Sequence, residues 1–267
     1  MAQRRRPADI AAALAEAVGF AGSGEPALAA AGQAMAAAAA QPGLPYHNRH
    51  HVAEAVLAMG WLGGVARRLG LLERRLAVLG VVAMAGHDLG HDGSPASGGR
   101  LEAQAAAAAD RVSAAACVAA SDRAVLRAVI LGTDPEQVLG NIARADGLAP
   151  PGPLGPQVDW LRALANEADV FASLLPELGW ELADALTTEQ AGQVSPSPSS
   201  CAGRLAFLRR YHCFSPAAAE LAVPSLHARM VSAFAVDGGT PEAGARVLDG
   251  MERGTARRRW CAALAMA

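Results

Sequence analysis

The sequence contains no lysine, so every one of its 23 basic residues is an arginine. We read this as compositional bias. The net charge is −2, which leaves no electrostatic case for nucleic acid or an anionic membrane as partner. Arg4-Arg5-Arg6 and Arg257-Arg258-Arg259 are too short to change that and read as solvated tails. Aromatic residues make up only 4% of the chain and β-branched residues rarely cluster, so the usual strand formers are missing. No strand-like alternation, Asn-Gly hairpin signal or repeat period occurs. Cysteines 117, 201, 213 and 261 form no CxxC pair, which excludes a disulfide framework or a thiolate zinc cluster and indicates thiols in a reducing compartment. No run reaches the roughly 18 apolar residues that cross a bilayer. Asp9 and Glu16 interrupt what would be the apolar core of a signal peptide. A cytoplasmic location is the expectation.

What the chain does have is alanine and leucine, with 52% hydrophobic and 18% charged residues over 267 positions. Both residues lose little on entering a helix, and this balance can fill a sizeable core. The expected fold class is all-α. Apolar spacing predicts helices over 7–20, 26–40, 48–69, 71–87, 101–119 and 122–132, and a shorter one to about 146. Further helices are expected from about 157, then over 203–213, 216–234 and 241–264. The stretch Leu79–Gly86 is apolar on all sides, as in a central helix. Leu148–Pro156 has the composition of a linker but reads as a loop inside one domain, 1–267, because a residue beyond it is needed at the site described next. The site motifs lie between about 44 and 190, and the helices of 191–267 complete the fold and its pocket.

Five of the seven histidines lie between positions 47 and 91. A step of four residues on a helix turns a side chain only about 40°. His47 and His51 would therefore share a face, as would His87 and His91, with Asp88 beside His87. A buried His-Asp at the end of an apolar helix needs compensation, and a metal ion supplies it. His51, His87, Asp88 and a distant Asp169 form an HD-type ligand set. Two imidazoles and two carboxylates suit Zn, Mn or Fe, and carboxylate oxygen also suits Mg. The second oxygen of Asp88 would be free to bridge to another metal. His50 reads as a surface residue, Trp180 as core, and His212 and His227 carry no assignment.

Tyr46-His47-Asn48-x-x-His51, then His87-Asp88-x-x-His91-x-Gly93, then Ile130-Leu131-Gly132-Thr133-Asp134, then Ala168-Asp169 resembles the catalytic domain of class I cyclic-nucleotide phosphodiesterases, which are HD-domain metal-dependent phosphohydrolases. The resemblance implies a compact helical bundle around two divalent metal ions (Zn, Mn, Mg or Fe) and a small phosphoester as substrate. It implies His47 as the general acid, and His51, His87, Asp88 and Asp169 as ligands with Asp88 bridging. His91 would stand near the bridging solvent, with Asn48 part of the first motif. Glu102, Thr133 and Asp134 match positions that hold metal-bound water. Elementary chemistry agrees: metal ions acidify water to hydroxide near neutrality, and an imidazole can protonate the departing alkoxide.

The chain departs from that pattern in several places. Asp92 stands where the family has proline, and no asparagine follows. The family's base-holding Gln-x-x-Phe has no counterpart: Gln190 and Gln193 are in the wrong setting, and Phe207 or Phe214 offers only the aromatic half. Glu189 is the expected carboxylate partner of the acid histidine. Two other readings use the same residues. One is an HD-fold mixed-valent diiron oxygenase, for which His91 would be one extra ligand and a second extra histidine is missing. The other is a non-catalytic metal- or nucleotide-binding module, which would have no need of a proton donor.

Overall fold

A computed structural model describes residues 7–22, 25–39, 43–95, 98–234 and 255. The expected helix 241–264, the two arginine triplets and Cys261 lie outside the described residues. Twelve α-helices and one 3-10 turn are present, and no strand occurs among the described residues. They are α1 (Ile10–Ala21), α2 (Pro26–Ala39), α3 (Arg49–Arg68), α4 (Arg74–Gly86), α5 (Arg100–Ala115) and α6 (Ala120–Gly132). After the 3-10 turn Pro135–Gln137 come α7 (Val138–Ala145), α8 (Pro156–Leu174), α9 (Pro176–Glu189), α10 (Cys201–Arg210), α11 (Pro216–Glu220) and α12 (Val223–Phe234).

The all-apolar helix is central. Every residue of α4 from Ala77 to Gly86 is buried, and α4 packs against α1, α2, α3, α5, α6 and α8. Small residues make this crowding possible. A Cβ on Gly80 would lie 2.3 Å from Met59 Cε and 2.8 Å from a Leu161 methyl. Gly60 of α3 meets backbone instead, with Ala17 Cα of α1 at 2.6 Å from its would-be Cβ. Backbone cannot swing aside as a methionine can. Gly60→Ala is therefore expected to push α1 off α3 and cost about 1–3 kcal/mol, read as a lower denaturation midpoint with an unchanged slope. Gly19→Ala, whose Cβ would meet nothing within 4 Å, is the matched control.

The main hydrophobic cluster takes side chains from Ile10 to Met230, on both sides of residues 148–156. Trp180 is fully buried in it. Across that stretch α8 packs against α3, α4 and α6, which carries its polar residues to the histidine-bearing elements.

Four local expectations are corrected. Asn48 caps α3, its Oδ1 accepting from the amides of His50 and His51 at 2.9 and 3.4 Å. The helix thus starts after His47, which does not share a helix face with His51. Likewise α4 stops at Gly86 with His87 as its C-cap, and Gly90 (φ 81°) turns the chain, leaving His91 beyond the helix. The expected helix 216–234 is broken between α11 and α12, where Ala222 takes φ 59°. Pro224 has no N–H to continue the α11 ladder, so the chain restarts there. His50 is half-buried rather than on the surface, with Nδ1 2.8 Å from the Pro7 carbonyl.

Candidate metal and proton-transfer site

Four donors from three helical regions converge. His51 stands in the first turn of α3, His87 and Asp88 at the end of α4, and Asp169 in α8. His51 Nε2 lies 3.2 Å from Asp88 Oδ2 and 3.0 Å from Asp169 Oδ1. His87 Nε2 lies 3.3 Å from each of those oxygens and 3.3 Å from His51 Nε2. Ligands about 2.1 Å from a common ion stand about 3.0 Å apart at right angles and about 3.4 Å apart in a tetrahedron. The observed separations fall within that range.

The donor chemistry also fits a cation. His87 Nδ1 donates to the Met84 carbonyl at 2.8 Å, which fixes its tautomer and turns the Nε2 lone pair toward the two carboxylates. Asp88 Oδ2 is buried and accepts no well-formed hydrogen bond. Burial alone would raise the carboxyl pKa of Asp88, but His87, His47 and His51 outweigh it and hold the value well below the usual range. Asp169 is opposed by burial in the same way and is likewise held down, by hydrogen bonds to His51 and His87 and by their charge. In His51, burial disfavours protonation, yet Tyr46, Asp169 and Asp88 raise its pKa well above the usual histidine value. The pocket is built to hold positive charge among two carboxylates. A divalent ion would satisfy the buried Asp88 oxygen and both Nε2 lone pairs together.

A second group adjoins this one. His47 Nδ1 is 2.5 Å from Glu189 Oε1, and the other Glu189 oxygen accepts the backbone N–H groups of Tyr46 and His47 at 2.8 and 3.0 Å. Burial pushes the Glu189 carboxyl up, but the bonds and charge of His47 and the Tyr46 amide bring it below its ordinary value. It is therefore a carboxylate, and it receives the Nδ1 proton and orients the ring. His47 Nε2 is left for a partner. His47, His51 and Asp88 have ligand-type atoms within 4.8 Å of one another, which places the ring beside the ligand cluster.

His91 stacks on His47, with ring centroids 3.6 Å apart and planes 18° apart. Its Nδ1 accepts from the Gly93 amide at 3.0 Å, so its proton sits on Nε2. Burial and the neighbouring His47 lower its pKa, keeping it neutral beside the other ring. Glu102 is partly buried, and burial together with Asp134, Asp169 and Asp88 raises its pKa. The Thr133 hydroxyl donates to the Ile130 carbonyl at 2.7 Å. Asp134 caps the 3-10 turn through the Glu136 amide. Asn48 ties the loop before α3 together, its Nδ2 donating to the carbonyls of Leu44 and Pro45. Phe207 packs under the Arg204 guanidinium at 4.8 Å and 5.0 Å from the Tyr211 ring.

Spacing alone did not reveal two participants. The hydroxyls of Tyr46 and Ser173 lie 3.1 Å apart and are buried. Burial, then the charge of Asp169 and Tyr46, raises the pKa of the Tyr211 hydroxyl. Tyr46 belongs to the first motif of the sequence, whereas neither Ser173 nor Tyr211 lies in any motif.

No protein-family model and no curated protein matches the chain. A solved structure of the Leishmania class I phosphodiesterase LmjPDEB1 in complex with IBMX is similar to it at 15% sequence identity and a TM-score of 0.57, covering 97% of this chain and 86% of that one. At that identity the likeness shows the fold. The chain has the all-α fold of a phosphodiesterase catalytic domain.

Proposed function

We propose that this chain is a metal-dependent phosphohydrolase acting on a phosphodiester, with a 3′,5′-cyclic nucleotide as the leading substrate. The observation that carries the reading is the convergence of His51, His87, Asp88 and Asp169 within 3.0–3.3 Å contacts beside a histidine already bonded to a carboxylate. A ligand set alone would serve a binding module. A proton donor held against it serves a reaction.

His51, His87, Asp88 and Asp169 would hold the first of two divalent ions (Zn, Mn, Mg or Fe), and Asp88 would also serve the second. When bound, such ions supply Lewis acidity, neutralising phosphoryl charge and acidifying water. The chain does the rest. Glu189 fixes His47 with Nδ1–H toward itself, so that Nε2 can deliver a proton to the leaving oxygen. His91 stays neutral and donates from Nε2–H. Glu102, Thr133 and Asp134 hold solvent at the rim. Residues 1–267 act as one domain on a small phosphoester in the cytoplasm. Among the described residues, no helix is long and apolar enough to cross a membrane.

The test is hydrolysis of bis-p-nitrophenyl phosphate, p-nitrophenyl phosphate, cyclic AMP and cyclic GMP by protein stripped of metal and reloaded with Mn, Mg, Zn or Fe. Metal-restored turnover of the diesters is expected. Hydrolysis of the monoester alone would overturn the phosphodiesterase reading. An oxygen-dependent iron EPR signal with no phosphatase activity would replace it with the oxygenase reading.

A further inference from the structure

Tyr46 is wedged between the proton-carrying and the ligand-carrying histidine. Its ring centroid lies 4.7 Å from that of His47, edge-on, and 4.9 Å from that of His51. It sits before α3, in a loop with no helix ladder of its own, and needs outside anchors. Its amide is held by Glu189, but an amide bond fixes only the backbone. The far end of the ring is held separately, by the buried hydrogen bond between its hydroxyl and Ser173 Oγ at 3.1 Å.

Ser173 is itself immobilised. It lies on α8, the helix that carries Asp169. Its carbonyl accepts from Arg204 Nη2 of α10 at 2.9 Å. The Arg204 side chain is buried, its guanidinium against the rings of Phe207 at 4.8 Å and Trp180 at 5.9 Å. Gly179 of α9 closes the remaining side, since a Cβ there would stand 2.5 Å from the Ser173 carbonyl oxygen and 2.7 Å from Arg204 Nη2. Ser173 is thus a fixed post on the ligand-bearing helix, braced from α9 and α10.

We infer that Tyr46 and Ser173 are positioning residues for the acid, a hydroxyl pair that sets the His47 ring against the ligand cluster by tying its neighbour to α8. This rests on the reading of His47 as proton donor. The bond between the two hydroxyls involves none of the proposed ligand atoms and no atom of the His47–Glu189 pair. Removing it should loosen orientation and leave metal binding and substrate affinity alone. A misplaced catalytic group loses rate steeply with distance.

The experiment compares Tyr46→Phe, Ser173→Ala and the double variant with wild type. Both single changes remove one hydroxyl and little else, and equal thermal midpoints identify folded protein. Metal content, kcat and KM are measured with Mn on cyclic AMP, whose alkoxide leaving group needs the acid. The imidazole proton between His47 and Glu189 is followed by NMR on protein with isotope-labelled histidine. Each single variant is expected to lose about tenfold in kcat at constant KM and metal content. The double variant should lose no more than either single one, because a shared bond can be lost only once. The imidazole proton should broaden or shift in all three. An unmoved His47 proton in Tyr46→Phe, or losses that multiply in the double variant, would overturn the inference. A proton that responds to both substitutions in a protein with no phosphoesterase turnover would uphold the positioning and reject the proposed function instead.

Discussion

Substituting His47 by alanine is expected to lower turnover about a hundredfold to ten-thousandfold while metal content stays at the wild-type level. The two effects separate because the two groups are built separately. Glu189 holds the His47 ring through Nδ1, whereas the proposed metal ligands are His51, His87, Asp88 and Asp169. The loss should fall on kcat and kcat/KM alike, as when an interaction made only in the transition state is removed. It should also depend on the leaving group. An aryl oxide departs without much protonation, so bis-p-nitrophenyl phosphate should lose far less than a cyclic nucleotide. A His47→Ala enzyme that cleaves both at wild-type rates would take the acid role away from His47. A variant that loses metal as well would make His47 a ligand.

Asp169→Ala is expected to strip the protein of tightly bound metal and with it all turnover. Asp169 Oδ1 is the oxygen that meets both Nε2 atoms, at 3.0 and 3.3 Å. Without it two imidazoles face a single carboxylate, a poor site for a divalent ion. Thermal stability gives a second readout. An ion at a hundredfold excess over its dissociation constant stabilises the fold by about 2.7 kcal/mol, which raises the midpoint by several degrees. Wild type should show that rise on adding Mn or Zn, and Asp169→Ala should not. Asp169→Asn keeps the shape and removes the charge, so it should fold normally and bind weakly. Unchanged metal occupancy in Asp169→Ala would remove this residue from the site.

The helical class was legible because composition and period both pointed one way, and an all-apolar run such as Leu79–Gly86 has few places to go but the centre. The site was legible in its residue types and misread in its geometry. A four-residue spacing puts two histidines on one helix face only if both lie in the helix. At His47 the asparagine that follows prefers to cap, and at His91 a glycine turns the chain first. The side chains still meet, since the ring centroids of His47 and His51 are 5.5 Å apart, but they approach from a loop and a helix. Asp169 lies far along the chain from Asp88, and it was singled out as the missing ligand of an HD-type set rather than by any helix spacing. Ser173, Tyr211 and Arg204 carry no motif. Their importance arises from packing across three helices, which no local pattern encodes. The break at Ala222 did have a local cause, Pro224, hidden within an alanine-rich run that otherwise favours continuing the helix.

Glu189 is the last residue of α9, beyond the proposed metal ligands in chain order, and it ties that helix to the backbone of Tyr46 and His47. Two thresholds of failure on warming are expected from this arrangement. Loosening α9 to α12 releases the acid but leaves the ligands of α3, α4 and α8 where they are. In the interval before those helices melt, the protein should retain its ions and be inert, so a sample can pass every metal assay after its activity has gone.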